Sequence, residues 1–218
     1  MVSEVPEGDA WVWNDGVMIS ESAERAFSSV VGTGIAPLLK SHGFRKQKLT
    51  FTRDRGGLTD VVNLQRSAGN SHESIRFYVN CGVYSAEFAR VVGRVPQERP
   101  KEVDCQFRRR IEHLAPGIGP HVTVTADTDV SAVAEQIRAA LVAALDVLGE
   151  LDGPDAVARA ADSDIDFDVF RYRLASGDVI GAREQFARAR TEFGSEERWP
   201  RLEAQFRKAE AAYEISAI

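Results

Sequence analysis

The residues best suited to chemistry in this chain are few, and their spacing falls short of every familiar constellation. Asp162, Asp164, Asp166 and Asp168 alternate like the opening of a calcium loop. An EF-hand also needs glycine at its sixth place and a carboxylate at its twelfth, to turn the loop and close the oxygen cage. Phe167 and Arg173 stand there instead, so helix capping by Asp166 or Asp168 is the expectation. His42, His72, His113 and His121 lack ligand-like spacing, and neither Cys81 nor Cys105 has a neighbouring Cys or His, so no zinc site is expected. Gly32-Thr33-Gly34 lacks the preceding strand and following Gly-Lys-Ser/Thr of a phosphate loop. Serines, histidines and aspartates occur without a nucleophile elbow. Glu112 and His113 beside Arg108–Arg110 are the one local group on which a hydrolase or nuclease would draw. No catalytic residue, metal ligand or cofactor is assigned.

What remains is a surface, and it rests on the stretch from Gly43 to Tyr84, which reads as three consecutive strands joined by glycine-rich turns. In the last of them Ile75, Phe77, Val79, Cys81 and Val83 alternate with Arg76, Tyr78, Asn80, Gly82 and Tyr84. Period two of this kind marks a strand with one face buried and one face open to water or a partner. With helices on the apolar side, the other side gathers Asn63 and Gln65, then Arg76, Tyr78, Asn80 and Tyr84, then Arg108 and Arg110. Arginine brings a rigid fork of donors and tyrosine a stiff ring with a polar tip, which suits recognition. The competing reading is a solvated face whose cross-strand polar pairs only stabilise the sheet.

The elements that position this face follow from periodicity. A helix starts at Ser20 or Ser22 and runs to Gly43, with a kink or break expected at Gly32, Gly34 and Pro37. Strands are expected at Lys48–Arg53, Leu58–Arg66, up to Tyr84, at Asp104–Leu114 and at His121–Thr125. A strong amphipathic helix covers Asp129–Leu148, with Val130, Val133, Ile137, Leu141, Leu145 and Leu148 in one stripe. Residues 1–18 read as a flexible leader. From Leu151 onward only short helices are expected, at 154–161, 167–176, 179–193 and 196–213. The piece RLASGDVIGAREQFARAR resembles one hairpin of a tetratricopeptide-type repeat, but no second copy follows at the expected period.

Composition is that of an ordinary folded chain: 218 residues, 44% apolar and 28% charged, with a net charge of −6. No apolar run reaches the roughly 18 residues needed to span a bilayer, so no membrane partner is expected. The acidic start lacks the basic region of a signal peptide, and the two cysteines read as buried, reduced thiols in strands. A cytoplasmic setting is the expectation. Charge is unevenly placed: residues 40–110 carry +8, while residues 1–39 carry −5 and 111–152 carry −6. That basic segment raises nucleic-acid binding as an alternative, with Arg45, Lys46, Lys48, Arg53 and Arg55 on the first hairpin and Phe44 and Phe51 for stacking. The low overall isoelectric point, near 5.3, counts against it.

Four pieces, PLLKSHGFRKQKLTFTR, VVNLQRS, FYVNCGVY and the 105–110 strand CQFRRR, together resemble a bacterial family catalogued as domain of unknown function 4304. That family's pattern is a helix ending in Leu-Lys-x-x-Gly-Phe, an aromatic-centred strand, a Val-Asn-Leu-Gln strand and an aromatic-Val-Asn-x-Gly strand. The resemblance spans residues 22–150 and implies one continuous domain, without any activity, cofactor or catalytic residue. The tryptophan expected near the fourth strand is replaced by Phe107 and by His121-Val122. By analogy, such domains resemble partner-binding proteins such as toxin-immunity proteins.

The expected fold is α+β: an antiparallel sheet of about five strands with helices 20–42 and 129–149 on one face, spanning residues 19–150, and a helical extension over 151–218 packed on it. The expected function is a non-catalytic cytoplasmic module that binds another protein through the polar face, immunity- or antitoxin-like. Arg109 poses a separate question, since alternation puts it on the apolar side between Phe107 and Ile111. A buried guanidinium needs company. Pairing with Glu24, Glu135 or Asp146, a bulge, or exposure at a sheet edge are the three outcomes.

Overall fold

The computed structural model describes residues 11–14, 17–161 and 165–213. Its centre is one six-stranded antiparallel sheet, and its longest strand decides the arrangement. Strands β1 (Trp11–Asn14) and β2 (Val17–Ser20) form a separate two-stranded hairpin, within the stretch expected as a leader. Ser20 then caps α1 (Glu21–Ser29), its hydroxyl accepting from the Ala23 amide. Of the expected kink or break, no break occurs. The chain stays helical through a π-helical segment, Val30–Ile35, into α2 (Ala36–Ser41), and Gly43 leaves the helix at φ 85°.

Strands β3 (Arg45–Gln47) and β4 (Thr50–Asp54) divide what the sequence reads as a single first strand. They are joined by a two-residue turn in which Lys48 takes φ 56°. Strand β5 (Leu58–Arg66) pairs along its whole length with β6 (Ser74–Ser85). The other edge of β6 is shared: residues 80–83 pair with β7 (Phe107–Arg110) and residues 74–77 with β8 (Val122–Thr125). The order is β3-β4-β5-β6-β7, with β8 beside β6. Between β6 and β7 run α3 (Ala86–Val91) and a 3-10 turn at Glu102–Asp104. The fourth strand is shorter than periodicity suggests, because Ile111–His113 closes into a 3-10 turn and Cys105 precedes the ladder.

Helix α4 (Val130–Gly149) is capped by Asp129, whose side chain accepts from the Ala132 amide. It packs with α1 and the π-helical segment on the apolar face of the sheet. Gly34 permits this closeness: a Cβ there would lie 2.7 Å from the Ala134 Cβ. Phe27 meets Phe77 edge to face at 5.1 Å, and Phe51, Ile75, Phe77, Cys81, Ile137 and Leu141 are almost wholly shielded from water. Each such large side chain contributes about 1.5–3 kcal/mol by leaving water.

The core face also holds one charged group. Asp60 is fully buried opposite Arg53, and its two oxygens take Arg53 Nη2 at 2.7 Å and Arg55 Nη2 at 2.8 Å. Both arginines do second jobs. Arg53 donates to the His42 carbonyl after α2, and Arg55 to the Leu148 carbonyl at the end of α4. The trio thus ties the sheet to the C-terminal ends of both covering helical units.

The C-terminal helices are α5 (Pro154–Ala160), α6 (Phe167–Ala175), α7 (Val179–Phe193) and α8 (Trp199–Ala212). Val157 of α5 enters the main core. Phe88 of α3 stacks on Tyr172 of α6 with ring centres 4.4 Å apart, inside a small cluster with Val92, Ala158, Ala161 and Val169. A third cluster around Phe170, Trp199 and Phe206 holds α6, α7 and α8 to each other. Asp166 caps α6, and Asp168 pairs with Arg94 and Arg171. Asp162 and Asp164, the other rungs of the acidic ladder, lie outside the described residues. Among the described residues no helix is long and apolar enough to cross a membrane.

Candidate functional site

The register of β4, β5, β6 and β7 fixes which side chains share the face away from the helices. Thr50 stands opposite Asn63, Asn63 opposite Asn80, and Asn80 opposite Arg110. One row across the sheet therefore carries only polar side chains. The next row holds Gln65 and Tyr78. These groups bond sideways: Asn63 Nδ2 donates to Thr50 Oγ1 at 2.9 Å, and Asn80 Nδ2 to Gln65 Oε1 at 3.0 Å. Fixed in this way, the amides form a rigid floor.

The wall over this floor comes from the segment between α3 and β7. It approaches closely at Gly82, where a Cβ would meet Cys105 Cβ and the Phe107 carbonyl oxygen, each at 2.9 Å. Gln106 clamps it from the other side, accepting from the Ser85 amide at 2.7 Å and donating to the Ser85 carbonyl. Lys101 and Asp104 close the turn between them. Floor and wall enclose a cleft of about 990 Å³, lined by Thr50, Asn63, Gln65, Asn80, Lys101, Glu102, Val103, Arg108, Arg109, Arg110 and His113.

Five of the eight residues expected on the recognition face line this cleft: Asn63, Gln65, Asn80, Arg108 and Arg110. Tyr78 supports it from beside, its ring lying 4.2 Å beneath the Arg110 guanidinium and edge-on to His121. Arg76 shares the face and is exposed, but lies outside the cleft. Tyr84 corrects the expectation, for it is only 3% exposed. Its hydroxyl accepts from the Gln97 amide at 2.8 Å, holding the loop before the wall in place. Sequence reasoning missed Lys101, Glu102 and Val103, since a segment without periodicity gives no sign of which face it crosses.

Arg109 stands in regular register at the edge of the sheet, without a bulge. Its backbone faces Cys81 on the core side, but β7 borders the sheet, and the half-buried side chain reaches the cleft. It lies over the Phe107 ring and donates to the Arg108 carbonyl at 2.7 Å. The carboxylates foreseen for it are placed elsewhere. Glu24 grips Arg66 through both oxygens, at 2.9 and 2.5 Å, Glu135 pairs with Arg138, and Asp146 is exposed. A carboxylate buried against arginines does occur, unforeseen, at Asp60.

Electrostatically the lining holds Lys101 and three consecutive arginines against one carboxylate, Glu102, which lies 3.4 Å from Arg108 Nε. The first hairpin offers less to a nucleic acid than its composition promised. Phe44 and Phe51 are buried at 4% and 1% exposure, and Arg53 and Arg55 are bound to Asp60. Of the pair considered for hydrolysis, His113 lines the cleft and Glu112 does not.

The two thiols differ in place. Cys81 is buried in β6, and burial, reinforced by Glu102 and Glu112, pushes its pKa up from 9.0 to about 12. Cys105 is half-buried in the wall rather than in a strand, and desolvation raises it as well. It lines a second cleft of about 410 Å³ on the far side of the wall, between that segment, α3 and the start of α6.

Fold and cleft together define an α+β sheet domain with a polar, cation-rich face and an appended helical hairpin. The family model for domain of unknown function 4304 matches residues 35–150, more than half of the chain, and the chain belongs to that family. The match runs from the end of the π-helical segment through α4, so it contains every strand of the main sheet. No curated protein and no solved structure matches the chain.

Proposed function

We propose that this chain is a non-catalytic, cytoplasmic protein-binding module, immunity- or antitoxin-like, whose partner docks on the polar face of the sheet. The observation that carries this reading is the cleft itself, where Arg108, Arg109 and Arg110 stand over a floor of hydrogen-bonded amides. Arginines beside a structured polar floor give directional bonds, and arginine is enriched where interfaces concentrate their energy. The rim adds apolar area. Val95 is 81% exposed and Val103 68% exposed, and with Ile180 they are the most exposed of the described large hydrophobic side chains. Val103 divides the two clefts, so a partner crossing this face would cover it while filling both.

The nucleic-acid alternative rests on the basic segment 40–110; Arg45, Lys46 and Lys48 are exposed there, but the aromatics it would use for stacking are in the core and Arg53 and Arg55 are engaged by Asp60. Affinity capture on immobilised wild-type chain and on the Arg108→Ala/Arg110→Ala variant tests the reading. A partner retained by the wild type should be lost from the double variant and kept by Arg76→Ala, which alters the same face outside the cleft. Equal retention by the double variant would remove the cleft from the interface.

A further inference from the structure

The floor of the cleft carries information about what it accepts. Two kinds of ligand answer a cluster of arginines, a polyphosphate or a run of carboxylates. They differ in what they offer an amide. A phosphate presents only acceptor oxygens, whereas a peptide presents alternating N–H donors and carbonyl acceptors. In the floor, Asn63 and Asn80 spend one amide proton each on Thr50 and Gln65. The Asn63 carbonyl oxygen and remaining proton, with the Gln65 NH₂, make a mixed donor and acceptor surface, and Asn80, buried at 5% exposure, holds the Gln65 carbonyl from beside. Such a surface complements a backbone and repels an all-acceptor polyanion at half its positions.

The wall agrees. Glu102 is a carboxylate within the lining, and Val103 stands exposed beside it. Glu102 opposes either anion alike, but a phosphate-rich ligand gains nothing from Val103. A peptide with acidic side chains and a central apolar one can place its carboxylates toward Lys101, Arg108 and Arg110 and its apolar side chain on Val103. The net charge is −6, so an acidic ligand gains no attraction from the molecule as a whole and depends on a local cluster such as this one.

We propose, building on the protein-binding reading above, that the partner enters this cleft as an extended acidic segment, its carboxylates held by Arg108, Arg110 and Lys101 and its backbone by Asn63 and Gln65. The probe is a fluorescein-labelled twelve-residue (~12) glutamate-rich peptide with one central leucine, long enough at about 3.3 Å per residue to cross the cleft. Its anisotropy is followed at low and moderate salt, with tripolyphosphate and single-stranded DNA as competitors. Binding should weaken as salt rises, and fall by about tenfold or more in Arg108→Ala/Arg110→Ala, the equivalent of losing one good charged contact. Asn63→Leu should weaken it while leaving the salt dependence unchanged, and Arg76→Ala should not alter it. Tripolyphosphate or DNA binding more tightly than the peptide would overturn the proposal in favour of a phosphate site. No peptide binding, with the double variant still losing a captured protein partner, would overturn the acidic-segment inference alone and leave the docking face standing.

Discussion

At the scale of single residues, the most consequential group is Asp60. A wholly buried carboxylate is tolerable only because two guanidiniums meet it, and each is also fastened to a helix end. Asp60→Asn should keep the shape but strand two cations, lowering stability by about 2–4 kcal/mol, less than for fully buried partners because both arginines are partly exposed. The shift of the urea midpoint measures this, and a change below about 0.5 kcal/mol would mean the trio is dispensable. Cys81 gives a pH prediction. Its thiol holds its proton in the folded state up to about 12, while the unfolded thiol loses it near 9.0. Between those values the unfolded state binds fewer protons, so stability should fall as pH rises, by at most ~1.4 kcal/mol per unit. Comparison of Cys81→Ala with wild type across this range isolates that slope, which the variant should lack. The burial of Cys81 is legible in the alternation of its strand, but the Asp60 trio is not. Alternation puts Asp60 beside apolar neighbours without naming its partners, just as it puts Arg109 in the core without revealing that β7 is an edge.

At the scale of elements, what was legible followed from period. The 74–84 alternation and the stripe of 130–148 fixed the two largest pieces of the fold, because each buries a long continuous face. Signals without period were lost. Gly32, Gly34 and Pro37 promised a kink or a break, yet the chain stays helical: the glycines fall in a π-helical segment whose Gly34 seats Ala134, and Pro37 falls in the first turn of α2. Residues 101–103 carry no periodic signal and 104–106 read as the start of a strand, yet segment 101–106 builds a wall of the cleft, and Gly82 is the contact that lets it. Gly82→Ala should therefore act on the site as well as on stability. The added methyl pushes Cys105 and Phe107 outward, so acidic-peptide binding should drop several-fold while β3 and β4, which do not border β6, keep their amide protection. Amide hydrogen exchange, read strand by strand, distinguishes this from global loosening.

At the scale of the whole molecule, the C-terminal helices are not a detached appendage. Phe88 and Tyr172 stack in parallel within a cluster shared by α3, α5 and α6, and Tyr172 also donates to Asp155. Phe88→Ala removes the side chain that both parts grip, at about 3–5 kcal/mol if the site does not collapse. The expected outcome is earlier unfolding of 154–213 than of the sheet, seen as an exchange difference between the two regions. Simultaneous unfolding would mean that one cooperative unit spans the chain. The sequence announced the helices but not this joint, since Phe88 and Tyr172 are 84 residues apart and belong to short helices with weak stripes.

The central claim is that the polar face, not the helical layer, meets the partner. Site-specific photo-cross-linking tests it most directly, with the reactive side chain placed once at Val103 on the cleft wall and once at Val142 on α4, across the sheet. A discrete adduct from position 103, absent from 142 and lost when Arg108→Ala/Arg110→Ala is added, is the expected result. An adduct of equal yield from position 142, or one from 103 indifferent to both arginines, would contradict it.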